Sequence, residues 1–403
     1  MLKVIFYILS GISFMYSAYF IVMGFGLVKK NKKTKDIKKN NKFAIIIAAR
    51  NEALVIGNLI DSLKNQNYPK DKYEIFVIVN NCTDNTEDVA LNHNVNVVKC
   101  DEKVSSKGQV LKFAYEILKL RTDIDAYAIF DADNIVHKEF LNVANDILNR
   151  GYNVAQGFRD TKNISDNWIS SSYAILYYMQ SLFMNQSRYC LGKSSFLNGT
   201  GFVVKKEVID KYGFEPKTVT EDIEFTAMCA INNEKIAFMK DAITYDEQVT
   251  RFKSSIKQRK RWSFGTMECL KNYFPLLIKK GIREKRFECF DVAIFFLAVI
   301  VHVLFNFVQI VLLINVIVNI KDYSLAQIIT CCFIFLLIYL FGIIVRILIL
   351  KKYNKSIKNN IGGIFLFDLF VISWLPVNFV CLFIKKCNWD QIVHSRNIKI
   401  ENI

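Results

Sequence analysis

Asp131 and Asp133 in "AYAIFDADNIV" sit one residue apart, directly after a mostly apolar run. Hard oxygen donors at that spacing suit Mg²⁺ or Mn²⁺, which commonly bridges one or two carboxylates to substrate phosphates. A solvated turn is the competing reading. Adjacent acids recur as Glu221 and Asp222 in "TVTEDIEFTAM", at the start of an apparent helix that Thr220 is placed to cap. Acids favour a helix N-terminus electrostatically, and a general base also needs a carboxylate within reach of an acceptor hydroxyl. "SIKQRKRWSFG" gathers Gln258, Arg259, Lys260, Arg261 and Trp262. This is either a basic interfacial helix with an aromatic anchor, or a planar cation and an indole set against a diphosphate and a sugar ring. In "FLNGTGFVV" two glycines flank a threonine, the mark of a turn or of a close approach of backbone to ligand.

The elements that must hold these residues alternate between residues 43 and 251. The pattern predicts strands over 43–49, 73–80, 95–100 and 126–130, with helices over 53–66 and 107–120. Such alternation is the signature of a parallel sheet with crossover helices, whose ligands bind beyond the carboxyl ends of the strands. Arg50-Asn51-Glu52, Asn80-Asn81 and Asp131-Asp133 all follow strands, so three polar clusters should converge on one sheet edge. There is neither a Gly-rich dinucleotide fingerprint nor a phosphate-binding Walker loop. A bound nucleotide would therefore be held by side chains and a metal.

Of the 403 residues 52% are hydrophobic and mean hydropathy is +0.21, high for a soluble globular chain. Residues 4–28 form an apolar stretch long enough to cross a bilayer and too long for a cleaved leader. The next fourteen, "KKNKKTKDIKKNNK", hold eight lysines and one aspartate, which belong on the cytoplasmic side. Apolar runs return at 290–320, 325–350 and 363–384. The last contains Asp368 and Pro376 and is either a span or a broken, re-entrant segment. Three crossings would leave the C-terminus outside, whereas Lys385, Lys386 and Arg396 favour the cytoplasm. The net charge of +16 is concentrated beside the apolar segments, which suits anionic lipid better than nucleic acid. Ten scattered cysteines and four dispersed histidines indicate neither a disulfide framework nor a metal cluster.

Taken in order, "AARNE", "VIVNNCTDNTE", "SSKGQVLKFA", "IFDADN", "FLNGTGF", "TVTEDIEF" and "QRKRW" resemble the processive membrane branch of glycosyltransferase family 2, which includes cellulose, hyaluronan and poly-N-acetylglucosamine synthases. The resemblance implies an α/β GT-A (Rossmann-like) catalytic domain combined with transmembrane helices, a nucleotide-sugar donor, usually a UDP-sugar, a divalent metal and inversion at the anomeric carbon. Asp131 would contact nucleotide or metal and Asp133 would ligate the metal. Asp222 would be the general base, with Glu221 as its neighbouring alternative. Gln258, Arg261 and Trp262 would meet the departing diphosphate and the acceptor sugar, and Glu52 and Lys107 would line the donor pocket. Asn80 stands where the family usually has an aspartate facing the base, and Asn198 where cellulose synthases have a cysteine.

The expected organisation is an anchor (1–29), a basic linker (30–42), the catalytic domain (43–255), the QRKRW motif with interfacial helices (256–289) and a membrane region with a short tail (290–403). The expected protein is a multi-pass plasma-membrane enzyme with a cytoplasmic catalytic domain, lengthening a polysaccharide. The alternatives are transfer of one sugar to a lipid or glycolipid, and, from another class, a transporter or scaffold with a nucleotide-sensing domain. Expected partners are the nucleotide sugar, a saccharide or lipid-linked acceptor, membrane lipids and, for polymer export, an accessory membrane subunit.

Overall fold

The computed structural model describes residues 2–29, 39–101, 104 and 106–387. Most of the lysine-rich linker, and the tail with Arg396, lie outside the described residues. The chain begins with the apolar helix α1 (Leu2–Gly24). It then enters an α/β unit through β1 (Phe43–Ala49), α2 (Ile56–Lys64), β2 (Tyr73–Val79), α3 (Thr86–Asn92), β3 (Asn96–Lys99), α4 (Lys107–Leu118) and β4 (Ala126–Asp131). Then follow β5 (Ile135–Val136), α5 (Phe140–Asn149), β6 (Val154–Thr161), α6 (Trp168–Met179), α7 (Ser187–Cys190), β7 (Phe202–Lys205), α8 (Lys206–Tyr212), α9 (Glu221–Ile231) and β8 (Ile236–Asp246). A stretch of π-helix, Gln180–Gln186, joins α6 to α7.

The strands form one sheet in the order β3-β2-β1-β4-β7-β6-β8-β5. β1 runs parallel to β2 and β4, and β7 is antiparallel to both β4 and β6. Ile45 and Ile47 of β1 pack with α2 and α5 on one face, while Ala44 and Ile46 pack with α4 and α9 on the other. Burial on both faces is why "FAIIIAA" is a continuous apolar run with no alternation. Each fully buried isoleucine contributes about 2 kcal/mol, so both helix layers hold β1 firmly. The register places Ala49 beside Val79 and Ala48 beside Asp131. The carboxyl ends of β1, β2 and β4 therefore share one edge, as their sequences predict.

α10 (Phe252–Glu284) is a 33-residue helix carrying the QRKRW motif near its start. It is followed by α11 (Phe287–Phe296), α12 (Ala298–Val318), α13 (Leu325–Lys352), α14 (Ile361–Ile372) and α15 (Leu375–Cys381). Four segments are long and apolar enough to cross a membrane: Phe6–Val28, Ala298–Val318, Leu325–Lys352 and Lys358–Cys381. The apolar run expected as one span from residue 290 is in fact divided at Leu297. Val292, Ala293 and Phe296 of α11 are buried against Ala230 of α9 and Tyr273 of α10. Their apolarity serves contact with protein, whereas most side chains of α12 are exposed.

The third run is broken between Ile372 and Leu375, with Pro376 in the first turn of α15. α14 and α15 lie against the α/β unit and its α10. A Cβ on Gly363 would collide with Ser171 of α6, Arg259 of α10 donates to the Phe370 carbonyl at 2.8 Å, and Ser263 of α10 donates to Asn378. Just after α13, Lys355 pairs with Asp160 of β6 at 2.8 Å. α12 and α13 thus leave the α/β unit and return to it.

One buried carboxylate ties α1 to this assembly. Asp291 of α11 accepts from Arg188 Nε at 2.7 Å and Nη2 at 2.9 Å, and from the Tyr19 hydroxyl of α1 at 2.7 Å. Arg188 is fully buried, and removing one partner of such a pair strands the other charge. Arg188→Ala should lower stability by about 3–5 kcal/mol, read as loss of the thermal transition of the detergent-solubilised protein. Arg188→Met combined with Asp291→Leu should recover most of it.

Candidate active site

A cavity of about 740 Å³ opens at the carboxyl edge of the sheet and continues to the first turns of α12. Glu52, Asn80, Lys107, Asp131, Asp133, Asn198, Glu221, Asp222, Gln258, Arg261 and Trp262, the site residues that the family resemblance implies, stand on its wall, whereas Asn51, Asn81, Arg259 and Lys260 do not line it.

The carboxylate end is organised by Lys107. Ser106 caps α4, its Oγ accepting from Gln109 N at 3.3 Å, and this directs the next side chain into the cavity. The Lys107 ammonium donates to Asp131 and to the Gly199 carbonyl, each at 2.5 Å, and lies 3.7 Å from Glu221. Burial alone would lower its pKa, but Asp131 and Glu221 outweigh that and raise it. Glu221 is pushed up to about 7 by burial, opposed by Lys107 and reinforced by Asp222. Asp222 is raised as well, again chiefly by burial, with the Ile223 N–H and Lys107 acting against it.

The "NGTG" loop is both a turn and a close approach. Gly199 has φ +90°, and a Cβ there would come 3.4 Å from Asp222 Oδ2. Thr200 Oγ1 accepts from Asp131 N at 3.0 Å and donates to Asn134, so this loop fixes the backbone of the Asp-x-Asp pair. Asp133 accepts from the Glu247 N–H at 3.4 Å, just beyond β8. Asp131 and Asp133 are hard donors on the cavity wall, a set that fits a divalent cation shared with phosphate oxygens. Among the described residues no group of three or more His, Cys, Asp or Glu forms a closed metal cage.

Asn51 and Asn81 serve the backbone, adopting φ of 58° and 48°, a conformation that asparagine tolerates better than most residues. Asn80 Nδ2 donates to the Cys100 carbonyl at 3.0 Å, which leaves Oδ1 as the acceptor side of that amide. On α10, Gln258, Arg261 and Trp262 fall at i, i+3 and i+4 and therefore on one face. Gly265 lets this helix close on Thr220, which a Cβ would overlap. The buried acceptors Asn198 Oδ1 and Gln258 Oε1 have no hydrogen-bond partner among the described residues.

Sequence reasoning missed Arg159. It lies on β6, donates to Asp246 at 2.6 Å and to the Asn198 carbonyl at 3.0 Å, and stacks 4.2 Å over the Tyr177 ring. Asp246 is raised to about 6 by burial, with Arg159 opposing and Asp133 reinforcing. The π-helical Phe183 and Met184 also line the cavity, and such segments frequently occur at functional sites.

Residues 40–265 match the glycosyltransferase-like family 2. The chain belongs to that family. Among relatives of this family 2 chain, a probable glycosyltransferase, YdaM, of Bacillus subtilis is 24% identical over 290 residues, 66% of each chain. A beta-monoglucosyldiacylglycerol synthase of a Nostoc strain is 26% identical over 249 residues, 60% of this chain and 53% of that protein. The chain thus spans between half and two thirds of these relatives. Among solved structures, the mannosyltransferase PcManGT of Pyrobaculum calidifontis, in complex with GDP-Man and Mn²⁺, superposes with a TM-score of 0.63 at 15% identity, covering 95% of this chain and 99% of that one. The fold is accordingly the GT-A, Rossmann-like one joined to apolar helices.

Lys107→Met should destabilise the family 2 chain by about 3 kcal/mol, because it strands buried carboxylates. Glu221 binds its proton more tightly folded than unfolded, so its contribution is present below about pH 4.5 and is lost as pH rises through about 7. Without the cation that loss steepens. The gap in melting temperature between variant and parent should therefore widen from about pH 5 to pH 8.

Proposed function

We propose that this chain is a membrane-bound, inverting, metal-dependent glycosyltransferase that moves a single sugar from a nucleotide sugar to a lipid acceptor. The observation that carries the lipid reading is the course of the cavity. It runs from the acids to Ala298, Val299 and His302 in the first turns of α12, and takes no lining from α13. An acceptor hydroxyl at the membrane surface reaches the acids this way, and nothing has to pass through the bilayer. The name of the Nostoc relative supports the same class of acceptor.

In this reading Asp222 accepts the proton of the acceptor hydroxyl as that oxygen bonds to the anomeric carbon. The bond from that carbon to the diphosphate breaks at the same time, and the nucleoside diphosphate leaves. The raised pKa of Asp222 makes it a better base than a solvated aspartate. A single displacement of this kind inverts the centre and needs no enzymic nucleophile. Asp131 and Asp133 would hold Mg²⁺ or Mn²⁺, which supplies charge neutralisation at the diphosphate. Arg261 adds a second positive charge for the leaving group, a form of stabilisation that requires no proton transfer. Glu52 and Asn80 border the donor, and Asn80 Oδ1 still presents an acceptor to a base N–H. Asn198 Oδ1 and Gln258 Oε1 accept from sugar hydroxyls. Lys355 meeting Asp160 supports a topology in which α14 and α15 stay on the catalytic side, which would put Lys385 and Lys386 on the cytoplasmic face together with the catalytic domain.

The "QRKRW" helix also suits a growing polysaccharide, and product partition separates the two. Membrane vesicles supplied with a panel of UDP-, GDP- and TDP-sugars should yield one labelled sugar per lipid in the organic phase. That product should disappear with chelator and in Asp133→Ala. Asp222→Asn should lower turnover about 10²–10⁴-fold while retaining nucleotide binding. A product that stays in water and lengthens with time would overturn the lipid reading.

A further inference from the structure

The histidines are dispersed in sequence, but His302 stands inside the cavity at its membrane end. His302 is the one ionisable side chain of α12, and such a residue in a candidate spanning helix marks a functional site by default. Its surroundings give it a defined role. Trp374 Nε1–H donates to Ser263 Oγ at 2.8 Å. Ser263, accepting that hydrogen bond, donates its own hydroxyl hydrogen to Asn378 Oδ1. This fixes the Asn378 amide with its nitrogen toward His302, and Nδ2 lies 2.7 Å from His302 Nδ1. An amide nitrogen only donates, so Nδ1 accepts and the neutral ring carries its proton on Nε2.

The relay therefore runs one way, from Trp374 through Ser263 and Asn378, and ends on a ring whose Nε2–H has no partner among the described residues. Ser263 and Asn378 are themselves buried, so the ring is held by partners that are fixed in turn. Such a relay orients a ligand-facing donor as the partners of metal-bound histidines orient theirs. The relay itself contains no lysine, arginine or carboxylate, although the Arg259 guanidinium stands 5.4 Å from the Trp374 ring, and Phe295, Val299 and Val371 line the same cavity. A single neutral donor in an apolar setting suits a neutral oxygen, whereas a phosphate would call for a cation.

We infer that His302, oriented by Asn378, Ser263 and Trp374, is the subsite that binds an ester carbonyl of a neutral glycerolipid acceptor, between its reacting hydroxyl at Asp222 and its acyl chains. This inference rests on the lipid-acceptor reading and adds to it the class of lipid and the residue that recognises it. The position agrees with the chemistry, since the first turns of a spanning helix lie at the depth where apolar chains give way to polar groups.

The test uses the full-length protein in detergent micelles, the preferred sugar donor, and two acceptor probes: dioctanoylglycerol and its dialkyl ether analogue, which lacks the carbonyls. The parent should show an acceptor KM about tenfold lower for the ester, the worth of one neutral hydrogen bond. His302→Phe should raise the ester KM about tenfold, leave the ether KM within twofold and hold kcat within twofold, so that the preference disappears. His302→Gln, which keeps a donor, should restore part of it. A wall that had merely collapsed would raise both KM values together, and that result would overturn the inference. So would an equal preference in parent and His302→Phe, with the lipid reading left standing. Organic-phase product absent from the parent with either probe, alongside a lengthening aqueous product, would overturn both readings.

Discussion

The buried ammonium of Lys107 allows acidic side chains from separate elements to share one small cavity. Two like charges about 4 Å apart repel by about 4 kcal/mol at an effective dielectric near 20, so Asp131, Glu221 and Asp222 need a cation among them. Lys107 arrives from the start of α4, touches the end of β4, and takes the Gly199 carbonyl of the "NGTG" loop as a further partner. One ammonium thereby sets the spacing of a sheet edge, a glycine turn and the N-terminus of α9. The result is an acidic site in which burial raises the pKa of both Glu221 and Asp222 against the pull of Lys107.

Legibility from sequence followed the range of the interaction concerned. β1, β2 and β4 are apolar because both their faces are covered, and polar residues placed directly after them had to emerge at one edge. The i, i+3, i+4 spacing of Gln258, Arg261 and Trp262 likewise states which side of a helix they share. Arg159 was hidden because "QGFRD" is polar for a central strand, and its partner Asp246 lies on another strand far along the chain. Asn51 and Asn81 look like chemistry in sequence but carry a backbone conformation. His302 looked isolated because its partner Asn378 is 76 residues away. The run from residue 290 misled for a different reason: a helix buried in protein and one facing lipid have the same composition.

α10 links the two halves of the molecule. One face brings the QRKRW side chains to the cavity, while Arg259 on another reaches the Phe370 carbonyl and the ring of Phe370, 4.5 Å away. The same helix thus forms a wall of the cavity and a seat for α14. Trp374, between α14 and α15, lies 6.2 Å from Trp262 ring to ring, so these helices also pack beside the cavity face of α10.

The hairpin of α12 and α13 has a geometric consequence. α13 has 28 residues and so measures about 42 Å, whereas a hydrocarbon core is about 30 Å thick. With the α12–α13 turn at the far membrane face, the last turns of α13 project beyond the near one, as far as Lys355 and its pairing with Asp160. A helix longer than the apolar layer its composition suits has turns to spare, and in α13 those turns end where the chain meets the α/β unit again at Asp160.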